Sequence, residues 1–180
     1  MRLDAEMLDS ASLRCSARTY SWDGAWISLG RFQRDFKPAN DCPTVRRPTG
    51  GRAVHHGDDL TLAIAVDANV LGLDSRRLAE IYRFLVIPLC AGFEAIGQPV
   101  VPVNQRESAG DEMDCFRVRT GFDLVSTKDG RKRCGVALRV SGAAVLLQAS
   151  MPGILAQRAG WTDGFIRGGA ELGWEWKFDS

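Results

Sequence analysis

The sequence has no long apolar run, no charge imbalance and no close cysteine pair, and each absence removes a class of protein. Its longest mostly apolar stretch, Phe84 to Phe93, is too short to cross a bilayer and contains Pro88. The opening MRLDAEMLDSASLRC lacks the basic-then-apolar order of a secretory leader. The expected location is therefore cytoplasmic, with no membrane partner. Lysine and arginine number 23 against 22 aspartate and glutamate, a net charge of +1. No global basic field points to nucleic acid. The five cysteines, Cys15, Cys42, Cys90, Cys115 and Cys134, are odd in number and widely spaced, without a CxxC or a Cys/His set at zinc spacing. No metal site and no disulfide framework is expected, so a cysteine that matters here should matter as a thiol.

What is present describes a globular chain of 180 residues, 45% hydrophobic and 25% charged, expected to form one α+β domain over residues 1–180. Met1 to Leu13 reads as an amphipathic helix with Leu3, Met7 and Leu8 on one face and Asp4, Glu6 and Asp9 elsewhere. Arg18 to Leu29 is strand-like, with a turn or bulge at Asp23-Gly24, and Gly30 to Pro43 reads as loop. Leu60 to Val66 suits a buried strand. A helix capped by Ser75 carries Leu78, Ile81, Tyr82, Leu85, Leu89 and Phe93 at helical spacing, with Pro88 expected to kink or shorten it. Val100 to Val103 is a brief strand and Asn104 to Asp114 a polar loop. Phe122 to Ser126 and Arg131 to Val140 form a hairpin around Asp129-Gly130, with a further strand at Val145 to Ala149. The glycine- and tryptophan-rich end, Met151 to Ser180, yields no assignment.

Chemistry concentrates in VRRPTGGRAVHHGDDL, from Val45 to Leu60. Pro48 fixes its own φ, and Gly50 and Gly51 let the backbone fold tightly and approach a ligand. Arg46, Arg47 and Arg52 supply fixed positive charge. A Gly-rich hairpin turn with solvated arginines accounts for the same residues. On the strand expected after Gly51, His55 and His56 point to opposite faces, one inward and one to solvent. In the later hairpin, alternation puts Lys132 with Cys134 on one face and Arg131 with Arg133 on the other. An inward Lys132 beside the Gly loop would hold a carbonyl or phosphate oxygen, whereas a solvated basic turn is the plainer alternative. Cys115 is either a buried inert thiol or, near cationic groups, a nucleophile.

These segments resemble a known family. MRLDAEML resembles the opening helix of lipoate–protein ligase and octanoyltransferase catalytic domains, commonly N-M-A-x-D-E-x-L, and WDGAWISLGRFQ is similar to their W-x-x-P-x-x-S-x-G-x-x-Q segment. The most specific likeness is VRRPTGGRAVHHGDDLT to R-R-x-[TS]-G-G-[GR]-A-V-x-H. GRKRCGVALR resembles G-x-K-x-x-G-x-A-x-R, which carries the family lysine, and LLQASM is a weaker echo of L-x-H-G-[ST]. The motifs run in family order from Met1 to about Met151; Gln148-Ala149 stands where the family has His-Gly, and Val136 replaces the serine of G-S-A.

The resemblance implies a biotin/lipoate ligase-like fold, a mixed and largely antiparallel sheet with flanking helices. It implies that Arg46, Arg47, Thr49, Gly50, Gly51, Arg52, Ala53, His56, Gly135 and Ala137 line the substrate site. Arg52 and Asp114-Cys115-Phe116 look like the cysteine-dependent octanoyltransferase branch. There Cys115 would take an octanoyl group as a thioester from octanoyl-acyl carrier protein, and Lys132 would orient its carbonyl. The acceptor would be a lipoyl-domain lysine of a 2-oxoacid dehydrogenase or of glycine cleavage H protein, with no cofactor. Two alternatives stay open: an ATP-dependent ligase using Mg2+ and free lipoic or octanoic acid, and a non-catalytic member that binds lipoyl domains or the acid.

Overall fold

The computed structural model of the chain describes residues 1–11, 15–34, 36, 38, 41–103 and 121–174, together with the backbone of 176–179. The most apolar run becomes β5 (Leu60–Asp67), buried at every position but its last, so both of its faces must be covered. It lies antiparallel between β1 (Cys15–Tyr20) and β9 (Ala144–Met151). Beyond β9 come β8 (Lys132–Ser141), β7 (Leu124–Ser126) and β6 (Val100–Pro102), all antiparallel, while β10 (Trp176–Asp179) pairs parallel with β1. The seven-stranded order is β10-β1-β5-β9-β8-β7-β6. The architecture is the mixed, largely antiparallel α+β sheet expected.

One face of this sheet packs on α2 (Leu78–Ala95) and α3 (Arg158–Glu171). Ile81, Leu85, Leu89 and Phe93 recur at helical spacing and are fully buried, each worth roughly 1.5–3 kcal/mol on burial. Ser75 is not the cap. Arg77 occupies that position, and the helix runs through buried Pro88 to Ala95, because the packed face outweighs the missing donor. The unassigned end holds α3. Its glycines weaken any local helix signal, yet a Cβ at Gly164 would lie 2.4 Å from that of Ala95, and one at Gly168 2.5 Å from that of Ala91. Glycine lets the two helices meet.

The opposite face carries α1 (Arg2–Asp9), where Leu8 packs with Ala63, Ala65 and Leu146. This helix differs from the expected one: Leu3 is 48% exposed and Asp4 is fully buried. The strand expected over Arg18 to Leu29 breaks at Gly24, whose φ of +81° turns the chain out of the large sheet. Trp26–Leu29 then forms β2 of a second, three-stranded sheet, parallel to β3 (Thr44–Arg46) and antiparallel to β4 (Val54–His56). The Gly-Gly turn joins β3 to β4.

Candidate functional site

Arg47 decides the shape of that turn. It is 5% exposed, and its guanidinium donates to the carbonyls of Gly50 (2.8 Å), Arg52 (2.6 Å) and Ser28 (2.9 Å). The side chain braces the turn from inside, a donor fork satisfied by carbonyls that would otherwise be buried without partners. Arg46 donates to the carbonyls of Gly30 (2.8 Å) and Gln33 (2.7 Å). Both arginines therefore brace the backbone of the turn. Gly51 has φ +90°, and a Cβ there would sit 2.9 Å from Arg47 Nη2; a Cβ at Gly30 would overlap the Gly51 carbonyl at 1.9 Å. Ala53 is fully buried behind the turn, and Arg52 is half-buried beside it.

The turn lies over the face of the large sheet opposite α2. Thr49 donates to Gln148 Oε1 (2.7 Å), and Gln148 Nε2 donates to Asp4 (2.6 Å). Asp4 also accepts from Arg18 (2.7 Å) and the Tyr20 hydroxyl (2.8 Å), which explains a buried carboxylate on α1. Burial, with the Asp4 charge and hydrogen bond, pushes the Tyr20 phenol well up, so it stays a donor. Ala137 pairs with Gln148 and Gly135 with Ser150 in the ladder, and a Cβ at Gly51 would come 4.0 Å from that of Ala137. Gly135 and Ala137 thus share the face under the turn.

Lys132 joins them by a route that alternation misses. Val125 pairs with Lys132 but Leu124 pairs with Cys134, a β-bulge that leaves Arg133 as the extra residue. Adjacent Leu124 and Val125 face opposite sides, so Lys132 and Cys134 do too, contrary to the shared face expected. Cys134 joins the core with Leu124, whereas Lys132 turns to the face of Gly135 and Ala137. Its ammonium is 2.8 Å from Asp123 Oδ2, with the two side chains 4% and 0% exposed. Arg133, expected outward, pairs with Asp129 at 2.9 Å on the surface, and Arg131 is exposed.

His55 and His56 divide as expected, His55 exposed and His56 buried. The His56 imidazole lies 2.7 Å from Ser28 Oγ and 2.8 Å from Asp59 Oδ2. Burial raises the Asp59 pKa, but His56, the Ser150 hydroxyl and the Gly57 N–H outweigh it and hold this carboxyl below the ordinary range. Ser28, Asp59 and Asp123 were not singled out as site residues from the sequence, and Asp4 was read only as part of a polar helix face; Ser28, Asp4 and Asp59 lie inside the motifs, but each has partners remote in sequence.

Beside the turn is an open groove of about 450 Å3, lined by Met1, Ala5, Val45 and Pro48 together with Arg2, Arg31, Arg46, Arg47 and Arg139. Its size falls in the range of small-molecule sites, roughly 300–1,000 Å3. The buried Arg139 Nε–H finds no hydrogen-bond partner among the described residues. Of the cysteines, Cys15 and Cys90 are pushed up to about 11 by burial and are poor thiolates, and Cys134 is fully buried. Cys115 and the Asn104 to Asp114 segment lie outside the described residues. Among the described residues no cluster of metal-ligating side chains occurs, and no helix is long and apolar enough to cross a membrane.

The chain is 33% identical to octanoyltransferase LipM of Exiguobacterium sp. over 162 residues, covering 82% of this chain and 58% of that protein. It is 31% identical to octanoyltransferase LipM of Kyrpidia tusciae over 147 residues, covering 74% and 53%. In structure it resembles T. acidophilum Ta0514 with bound lipoic acid (TM-score 0.75, 18% identity, 98% of this chain and 80% of that one). The chain belongs to the biotin/lipoate protein ligase superfamily. A second member with the same fold, lipoate-protein ligase A bound with ATP, superposes with a TM-score of 0.72 at 18% identity over 98% of this chain and 81% of that one. No family model matches the chain. Within the superfamily it sides by sequence with the octanoyltransferases, and it spans about half the length of the curated relatives it matches.

Proposed function

We propose that the chain is an octanoyltransferase of protein lipoylation. The Cys115 thiolate attacks the acyl carbonyl of octanoyl-acyl carrier protein; a new C–S bond forms and the carrier thiolate leaves. The ε-amine of a lipoyl-domain lysine then attacks this thioester, an amide forms, the amine gives up a proton and Cys115 returns as thiolate. Lys132 orients the acyl carbonyl and stabilises charge on its oxygen, with Asp123 holding the ammonium. The Gly50-Gly51 turn, with Thr49, Arg52, Ala53, Gly135 and Ala137, walls the acyl site. In the adjoining open groove, Met1, Ala5, Val45 and Pro48 offer apolar contact to an alkyl chain. Transfer needs no cofactor.

The observation that carries this reading is the 33% identity to an octanoyltransferase over 82% of the chain. A lipoyl-domain acceptor is supported by the bi-partite T. acidophilum lipoate protein ligase, solved in work on that enzyme and its E2 lipoyl domain (TM-score 0.66, 17% identity, 92% of this chain). The test is transfer without ATP. Mixed with octanoyl-acyl carrier protein and an apo lipoyl domain, the protein should shift the domain's mass by one octanoyl group, and Lys132→Ala should abolish the shift. Modification that appears only with free acid, ATP and Mg2+ would make it a ligase, and acyl-chain binding without turnover a non-catalytic member.

A further inference from the structure

Ser28, His56 and Asp59 have the spacing of a nucleophilic serine triad, with Ser28 Oγ 2.7 Å from His56 Nε2 and His56 Nδ1 2.8 Å from Asp59 Oδ2. Burial forbids that use. Ser28 is 1% exposed, and its Oγ accepts from Arg47 Nη1 at 3.1 Å. We propose instead that the three residues form a one-way hydrogen-bond relay that holds Arg47, and through it the Gly50–Arg52 turn, in the shape that receives substrate.

The direction of the relay follows from its two charged ends. Asp59 receives only donors: His56 Nδ1, the Ser150 hydroxyl (2.7 Å), the Thr61 hydroxyl (3.1 Å) and the Gly57 N–H (3.2 Å). Thr61 has its proton free for this because its oxygen accepts from Trp22 Nε1 at 2.9 Å. Nδ1 must therefore carry a proton. At the other end Arg47 can only donate, so the Ser28 hydroxyl hydrogen is directed at His56 Nε2, which accepts it as the bare nitrogen of the Nδ1–H tautomer. A doubly protonated ring would leave the buried Ser28 hydroxyl hydrogen without this acceptor. The Trp22 ring stacks on the imidazole at 4.0 Å and 19°, which fixes its plane. Each bond polarises the next from cation to anion. Ser28 and His56 are positioning residues: Ser28 touches Arg47, His56 touches Ser28, and Arg47 touches the turn.

Nitrogen NMR tests the direction, because the chain has two histidines and His55→Gln leaves His56 alone in the spectrum. His56 should show a protonated Nδ1 and a bare Nε2; the Nε2–H tautomer would overturn the relay. Two substitutions then separate the ends of the ring. His56→Gln keeps an acceptor where Nε2 stood, and His56→Asn keeps only the donor toward Asp59. The Arg47 Nε–H, which donates to the Gly50 carbonyl at 3.2 Å, is the reporter. Its hydrogen exchange should quicken about five- to tenfold in His56→Asn and Ser28→Ala, the loss of one hydrogen bond's restraint, and stay near the wild-type rate in His56→Gln. Equal exchange in all four proteins would overturn the relay. Should His56→Asn fail to fold, Ser28→Ala, which removes one oxygen, decides the same question.

The kinetic arm rests on the octanoyl-transfer reading. There a displaced turn should lower turnover by up to about 10²-fold in Ser28→Ala and His56→Asn, with His56→Gln recovering most of it. A wild-type protein without transferase activity would remove that reading and leave the exchange measurements to judge the relay. Full activity in Ser28→Ala would overturn the relay and leave the transferase reading standing.

Discussion

Lys132 and Asp123 place opposite charges inside the protein at 2.8 Å, an arrangement that is costly to assemble and costlier to break. Lys132→Ala strands the Asp123 carboxylate without its ammonium and should destabilise the fold by about 3–5 kcal/mol, measured by urea unfolding. Lys132→Ala paired with Asp123→Asn should recover part of that stability and none of the activity. The two glycines of the turn separate just as cleanly. Gly51→Ala forces a side chain into φ +90° and toward Arg47, which should cost about 1–3 kcal/mol. At Gly50 a Cβ meets nothing within 4 Å, so Gly50→Ala should leave Tm close to wild type. Asp59 supplies the pH dependence. Its folded pKa lies below the ordinary value, so its contribution is complete above about pH 4 and is lost as pH falls through the lower, folded value. Asp59→Asn should be less stable at neutral pH and show a flatter acid limb below pH about 4, read from urea midpoints across the range.

At the scale of elements, the pairing of α2 with α3 sets two effects against each other. Gly164→Ala gains helix propensity of about 1 kcal/mol. Its methyl, however, meets the Ala91 carbonyl oxygen at 2.8 Å and the Ala95 Cβ at 2.4 Å. Backbone cannot yield as a side chain can, so overpacking should win and the urea midpoint should fall by the equivalent of about 1–3 kcal/mol. The same glycines hid α3 from the sequence, because a helix selected for close approach gives up the local signal of a helix. By contrast β5 and α2 were legible, since continuous burial and helical spacing are local patterns. The turn between β3 and β4 was legible as a motif but not in its mechanics: nothing local shows that Arg47 folds back on the carbonyls of Gly50 and Arg52. The face of Lys132 was misread for a different reason. One extra residue at a bulge inverts alternation, and the spacing from Lys132 to Gly135 and Ala137 makes sense only once Arg133 drops out of the count.

Taken whole, the large sheet divides its labour between its faces. One face builds the core with α2 and α3; the other carries α1, the braced turn and the wall made by Gly135 and Ala137. Asp4 ties these parts together, since one carboxylate joins α1 to β1 and, through Gln148, to Thr49 of the turn. On the hairpin rim Arg131 and Arg133 present positive charge, and an acidic carrier domain is the proposed partner. Arg131→Glu should slow transfer most at low ionic strength and little at high salt, seen in initial rates across a salt series. The central proposal is a covalent octanoyl group on Cys115. Incubation with octanoyl-acyl carrier protein, followed by intact-protein mass measurement, should reveal a single octanoyl adduct on wild type and on Cys90→Ala, and none on Cys115→Ala. An unmodified wild-type protein, or an adduct that persists in Cys115→Ala, would contradict it.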